Sequence, residues 1–359
     1  MTASGHPTDG ADGPDGLPTD GAGGPGGLDG LLGIANGMWA AQTLTAALDL
    51  GVFSALAATD GLTAAEAAGL LGIPARPAEV LLTACAALGL LTGVDGRYRN
   101  TAAAGQYLVR GGPDYLGDYI TMLRDHTTPG WLRVTEALRS DTPSRWKPEQ
   151  QDRIFDAENR TTAFWDGLYP LSVLTGRALA AAVDLGGSTR LLDVGGGGGG
   201  FDIEFCRRHP QLRATVYDLP FVCAYAEKRI AAAGLAERIG THPGDFFEEP
   251  ELPGGHDAIL LSLILHDWDE PRNRALLAKC HRALPAGGLL VISELLVDDA
   301  KTGPLDAALM SMNMVVGTWG RNYTAAEYGE WLRDAGFSDI RTVPFTAPGA
   351  NGAVIARKA

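Results

Sequence analysis

From Leu31 to about Leu91 the apolar residues recur at helical spacing, every third or fourth position. One helix is predicted over 33–50, followed by a short link at Gly51-Val52-Phe53. Thr63 stands three residues before Glu66, a capping-box pattern that opens a second helix, and Gly72 is placed to end it. A third helix is predicted over 77–88. Two short strands, 90–92 and 96–99, then flank a turn at Asp95-Gly96. Three helices and a small hairpin make a winged-helix arrangement. Residues 100–185 read as mostly helical and carry many aromatics: Tyr107, Tyr115, Tyr119, Trp131, Trp146, Phe155, Phe164, Trp165 and Tyr169. Most suit a core, and some can line a pocket where this segment meets the next domain.

The period changes at Thr189. Apolar runs at 190–194, 214–218, 239–243, 257–262, 288–294, 340–344 and 352–357 alternate with helical stretches. The alternation predicts an α/β domain, a doubly wound, mostly parallel sheet with helices on both faces.

Composition adjusts this picture at both ends. Residues 1–30 are rich in Gly, Pro, Asp and Thr with almost nothing to bury, so a disordered tail is expected there. The rest divides into a winged-helix domain at 31–105, a helical linker with pocket residues at 106–185, and a ligand-binding catalytic domain at 186–359. No apolar run is long enough to span a bilayer, and the first 30 residues lack a basic segment followed by an apolar one. A cytoplasmic location is expected.

A net charge of −14 repels phosphate backbones. Residues 75–91 carry one Arg and no Lys, so the third helix lacks the cations of a DNA reader. Packing and dimerisation are the expected use of the winged helix, against the alternative of a regulator. Cys85, Cys206, Cys223 and Cys280 are scattered, which suits buried reduced thiols rather than a zinc site or disulfides.

The candidate chemistry begins at Leu191-Leu192-Asp193-Val194, a strand running into six consecutive glycines from Gly195 to Gly200. Such a turn lets backbone approach a ligand closely. Asp193, at the loop mouth, disfavours a pyrophosphate by its charge and favours a cationic ligand. That argues against a nicotinamide-dependent oxidoreductase. Asp218 ends the next strand, about 25 residues on, near the spacing at which an acid reaches ribose hydroxyls. Gly244, Asp245 and Phe246 follow the third strand, where they can give close approach, bond an adenine amino group and pack on the ring. The same residues read alternatively as a simple strand-to-helix turn. An adenosine carrying a sulfonium and an amino acid fits both acids better than a dinucleotide does.

Five ordered motifs resemble the small-molecule O-methyltransferases that include plant caffeate-type and bacterial antibiotic-pathway enzymes. They are Asp193-Val194-Gly195, Tyr217-Asp218-Leu219-Pro220, Gly244-Asp245-Phe246-Phe247, Leu265-His266-Asp267-Trp268 and Leu284-Pro285-Ala286-Gly287-Gly288. The resemblance spans roughly 31–359. It implies a homodimer through interlocked winged-helix domains, a Rossmann-like catalytic domain and S-adenosylmethionine as cofactor. It implies that Gly195 lies at the methionine part, Asp218 and its neighbour Leu219 at the ribose, and Asp245 and Phe246 near the adenine. Ser262 matches a polar position touching the cofactor, and Trp268 one that packs near the adenine.

The same resemblance implies that His266 is the general base, with no metal required. A phenol titrates near pH 10, and an imidazole near 6.5 can accept its proton during attack on the methyl group. His266 also closes an apolar strand at the ligand-binding end; His6, His126, His209, His242, His256 and His281 have no such context. Glu294, ending the next strand, matches a carboxylate that orients the histidine. Relatives usually carry a second Glu in a Gly-Arg-Glu-Arg-Thr-like stretch, whereas Asn322 stands there in this chain. This departure leaves two readings: O-methylation of a phenol first, and C-methylation of an activated, tyrosine-like ring second. In the Met310–Met314 cluster, Met310 suits a soft wall for an aromatic acceptor and Asn313 a polar contact to it, with Trp165 a third candidate at the acceptor.

Overall fold

The computed structural model describes residues 27–147, 162–185 and 187–359. Four helices open it: α1 (Leu28–Asp49), α2 (Val52–Ala57), α3 (Ala64–Leu71) and α4 (Ala75–Ala87). The hairpin β1 (Leu91–Val94) and β2 (Arg97–Asn100) follows, antiparallel, with Asp95 and Gly96 both at positive φ (52° and 72°). Two successive left-handed residues make the turn whose twist matches a two-residue hairpin. The Thr63–Glu66 capping box forms in both directions, and Gly72 ends α3 at φ 67°.

Two expectations fail here. Helix α1 starts at Leu28, so the proposed tail of 1–30 runs too far; residues 1–26 lie outside the described residues. Asp29 sits in its first turn, where a carboxylate offsets the exposed N–H groups of the helix start. The stretch after Gly51 is a helix rather than a link. Gly51 takes φ 73° to turn the chain, and Val52, Phe53 and Leu56 bury themselves beneath α1 and α4.

Among the described residues five helices connect this part to the sheet: α5 (Ala102–Tyr107), α6 (Gly117–Met122), α7 (Thr128–Trp131), α8 (Val134–Ser140) and α9 (Thr162–Ala182). One π-helical turn, Leu123–Thr127, lies between α6 and α7. Phe155, one of the pocket candidates, lies outside the described residues. Among the described residues no single helix is long and apolar enough to cross a membrane.

The sheet holds seven strands: β3 (Arg190–Val194), β4 (Arg213–Asp218), β5 (Ile239–Pro243), β6 (Ala258–Ser262), β7 (Leu289–Glu294), β8 (Phe337–Pro344) and β9 (Gly352–Lys358). Their order is β5-β4-β3-β6-β7-β9-β8, parallel from β5 to β7, with β9 antiparallel to both neighbours. Helices α10 (Gly200–Arg208), α11 (Pro220–Ala232), α12 (Glu270–Ala283), α13 (Leu305–Gly317) and α14 (Ala325–Asp334) complete the domain.

Successive strand residues feed opposite cores. Leu191, Leu260 and Val291 pack on one face, while Leu192, Ile259 and Ile292 pack on the other. That is why these strands are continuously apolar instead of alternating. The chain leaves β3 towards β4 on one side and reaches β6 on the other. A crevice therefore opens past the C-terminal ends of these strands, where order reverses.

Candidate active site

A cavity of about 270 Å³ occupies that crevice. Its floor is the loop after β3. Gly195, Gly197 and Gly199 all have positive φ (74°, 56° and 72°). A Cβ on Gly195 would meet Ile264 Cδ1 at 2.3 Å, so this position needs glycine for space as well as conformation. Asp218, at the end of β4, accepts from the Gly197 N–H at 2.9 Å and the Leu219 N–H at 2.7 Å. Burial raises Asp218 to about 6, against the pull of those two donors.

Asp193 is fully buried, and burial together with repulsion from Asp202 and Asp218 raises it well above the carboxylate range. Burial also raises Asp202, to about 7. The pair therefore keeps a proton near neutral pH, and Asp193 does not carry the full charge expected from the sequence. Asp193 and Asp202 share a hydrogen bond, while Ser262 Oγ is buried with no hydrogen-bond partner among the described residues. A buried polar atom on the cavity wall suits a polar ligand group such as an amino-acid moiety. Above the loop, Phe246, Phe247 and Trp268 form an aromatic slot, with Phe247 4.6 Å from Trp268 and 4.7 Å from Phe246 between ring centres. Asp245 lines the same end, and Gly244 leaves room there because a Cβ would stand 2.4 Å from Glu249 Oε1. These groups fit an adenosine.

His266 stands past the end of β6. Leu263 takes φ 57°, an uncommon conformation for a side chain with a Cβ, and so turns the chain sharply. The N–H groups of Ile264, Leu265 and His266 then converge on Glu294 Oε1 at 3.1, 3.1 and 3.4 Å. The other oxygen, Oε2, lies 2.9 Å from His266 Nδ1. Nε2 is left on the cavity side, 3.9 Å from Asp267 Oδ1. Burial alone would depress this imidazole. The Glu294 carboxylate outweighs it, with help from Asp267, and raises His266 to about 9. The ordinary value near 6.5 expected from the sequence is thereby corrected: the free imidazole is a stronger base, protonated at neutral pH.

The opposite wall is aromatic and sulfur-rich: Tyr119, Phe164, Trp165, Met310 and Met314, with Asn313 among them. Asn313 Oδ1 accepts from Trp131 Nε1 at 3.0 Å, and its Nδ2 stands 3.7 Å from Met310 Sδ. Among the described residues no group of three His, Cys, Asp or Glu side chains is placed to hold a metal.

The cavity thus gathers Asp193, Gly195, Asp218, Leu219, Gly244, Asp245, Phe246, Ser262, His266, Trp268, Asn313, Met310 and Trp165 from six distant stretches. Glu294 sits directly behind the histidine. Asn322 does not join them. It is buried, donates from Nδ2 to the Leu295 carbonyl at 2.7 Å, and its backbone N–H donates to Ser311 Oγ at 3.0 Å. It is absent from the cavity lining, and its Oδ1 has no partner among the described residues, so its expected place beside the reaction is replaced by one behind the wall. The sequence reading had Tyr119 among the aromatics that can line a pocket, and missed Thr127, Arg145 and Thr318 on the lining. They lie on irregular or short elements without a motif, and only folding brings them to the crevice.

Comparison with known proteins was made against families, curated relatives and solved structures. Residues 32–110 match an O-methyltransferase dimerisation domain and residues 147–338 an O-methyltransferase domain. The chain is 61% identical to the 3-hydroxy-5-methyl-1-naphthoate 3-O-methyltransferase of Streptomyces sahachiroi, over 92% of this chain and 95% of that one. It is 32% identical to the L-tyrosine C(3)-methyltransferase of Streptomyces lavendulae, over 92% and 93%. Human N-acetylserotonin methyltransferase, solved in complex with S-adenosylmethionine, superposes with a TM-score of 0.82 at 30% identity, covering 92% of this chain and 96% of that one.

Proposed function

The chain belongs to the S-adenosylmethionine-dependent O-methyltransferases, and from that premise we propose that it methylates a phenolic hydroxyl of a fused-ring aromatic acceptor, with His266 as general base. The observation that carries the proposal is the His266–Glu294 pair, held behind the cavity wall with Nε2 turned inward. The apolar wall of Phe164 and Trp165, packed edge to face, and of the methionines suits an aromatic acceptor. The naphthoate named for the Streptomyces sahachiroi relative supports the fused ring and the oxygen as the atom methylated.

The cofactor supplies a methyl group already activated on a sulfonium. Asp218 and Leu219 hold the ribose side, Phe246, Trp268 and Asp245 the adenine side, and Gly195, Asp193 and Ser262 the amino-acid end. The Asp193 and Asp218 carboxyl groups are raised by burial and by neighbouring carboxylates, so a positively charged ligand relieves part of that strain on entering. The work left to the protein is alignment and proton removal. With the cofactor held there, its sulfonium would supply the methyl group and leave as a neutral thioether, and His266 Nε2 would take up the proton of the acceptor hydroxyl. An imidazole raised to about 9 and a phenol near 10 are closely matched, so the transfer needs little driving force. Glu294 holds Nδ1–H and stabilises the imidazolium that results.

The same proposal includes a homodimer. Leu28, Leu31, Leu32, Ile34, Met38 and Trp39 of α1 are all exposed, a larger apolar surface than a lone soluble helix usually shows. Helix α4 carries Arg76 as its single basic side chain, so this domain suits packing against a second copy better than phosphate contacts.

The test is transfer of isotope-labelled methyl from S-adenosylmethionine to hydroxynaphthalenes and to tyrosine, with the label located by NMR. Label on oxygen is expected. Label on a ring carbon would replace this reading with C-methylation.

A further inference from the structure

Arg145 is the only Lys or Arg side chain on the cavity lining among the described residues, and no motif pointed to it. Its segment is pinned on three sides. The Arg145 N–H donates to the Val316 carbonyl at 3.0 Å, Ser144 Oγ to the Gly130 carbonyl at 2.9 Å, and Trp146 Nε1 to the Gly317 carbonyl at 2.8 Å. Gly317 makes the space: a Cβ there would lie 3.1 Å from the guanidinium carbon. The group is thus built into the wall at the C-terminal end of α13, beside Thr318 and the methionines, with little freedom to swing into solvent.

Its hydrogen-bonding capacity is nevertheless mostly unused. Nη2 donates to Thr127 Oγ1 at 3.1 Å, while Nε is buried with no partner among the described residues. No carboxylate among the described residues forms an ion pair with it; Asp267 acts on it only at longer range. Burial lowers the guanidinium to about 10, against that influence, which still leaves it fully charged at neutral pH. A half-buried charged fork whose Nε is shut away from water with no partner among the described residues is costly unless an anion completes it. The shape of its donors matches a carboxylate in bidentate fashion.

Resting on the aromatic-acceptor reading above, we infer that Arg145 is the anion anchor of the acceptor pocket: it pairs with the carboxylate of a hydroxylated aromatic acid and so selects which hydroxyl reaches His266. The cavity then has a division of labour. The planar ring lies along the aromatic and methionine wall, the carboxylate is fixed at the Arg145 end, and the phenol is presented at the His266 end. An acceptor lacking the acid still fits the wall but loses its register.

The experiment compares three acceptors of one shape: 3-hydroxy-1-naphthoate, its primary carboxamide and the matching naphthol. The wild-type enzyme should favour the acid over the carboxamide about 10- to 100-fold in kcat/KM, the range of a charge-assisted bond lost from a buried site. In Arg145→Met that preference should collapse towards one, chiefly through KM. Arg145→Lys should restore it in part, because a point charge cannot make the fork. The ratio between acceptors cancels any general loss of folded enzyme. A wild-type enzyme with no preference for the acid, or an Arg145→Met variant that keeps the full preference, overturns the anchor while leaving phenol methylation standing. Methylation of none of the three, with the cofactor shown to bind, overturns both.

Discussion

His266 Nδ1 lies 2.9 Å from Glu294 Oε2, and both side chains are buried. The proximity sets the charge state of the pair, because a carboxylate shut away from water acts strongly on a neighbouring imidazole. With His266 raised to about 9, kcat/KM should climb roughly tenfold per pH unit between about 6.5 and 9 and flatten beyond. The same shift has a stability consequence of definite sign. The folded value lies above the unfolded one, so the pair's contribution is complete below about 6.5 and is lost as pH rises through about 9. Thermal midpoints measured across pH 6 to 10 should fall over that window in the wild type. In Glu294→Gln the fall should be smaller, and a wild-type profile flat in both activity and melting would contradict the pairing.

Removing the base itself is the second prediction. His266→Ala should lower kcat by about 10²- to 10⁴-fold. Cofactor affinity, read by calorimetry, should change far less, since Gly195, Asp218 and Asp245 lie on other loops. Glu294→Gln should lower kcat by a smaller factor and move the pH rise to lower values. Loss of cofactor binding in His266→Ala would assign the histidine a structural place instead.

The glycine loop makes a steric prediction. Gly195→Ala places a methyl 2.3 Å from Ile264 Cδ1 on a backbone at φ 74°. Both strain and space oppose it, so a loss of about 1–3 kcal/mol in stability is expected. Cofactor affinity should weaken with it. Asp218→Asn keeps the volume and removes the charge; it should reduce cofactor affinity about 10-fold or more while the fold survives, which circular dichroism can confirm.

Asn322 separates brace from catalyst. Asn322→Ala leaves the buried Leu295 carbonyl without its partner, for an expected loss of about 1–3 kcal/mol. Asn322→Glu would bring a carboxylate against that carbonyl and should destabilise the fold more. Denaturant midpoints should therefore shift in both, whereas KM for the acceptor should not. A large KM change with an unchanged midpoint would return Asn322 to the cavity wall.

The apolar face of α1 is open to a direct check. Leu31 and Trp39 are 59% and 64% exposed. The double change Leu31→Glu with Trp39→Glu should halve the mass seen by light scattering. An unchanged dimer would move the interface elsewhere.

Much of this architecture was legible before any coordinates. The two periods, helical to residue 91 and strand–helix after 189, marked the two halves of the fold. Capping at Thr63 and the Asp95-Gly96 turn were legible because each is a local bargain between a few neighbouring atoms. Helix α2 was not, because its six residues have no propensity strong enough to outweigh Gly51; burial of Val52, Phe53 and Leu56 decides it.

The site divides along the same line. The sequence by itself determined the residues at strand ends, Asp193, Asp218, Gly244, Ser262, His266 and Glu294, because a parallel sheet brings successive strand termini to one edge wherever the helices run. Only the tertiary structure decided the charge on His266 and Asp193, which depends on burial and on carboxylates remote in the chain. It alone removed Asn322 from the cavity and brought Arg145 to it. Neither position follows from local pattern, since both are set by contacts across tens to hundreds of residues, which spacing along a chain does not encode.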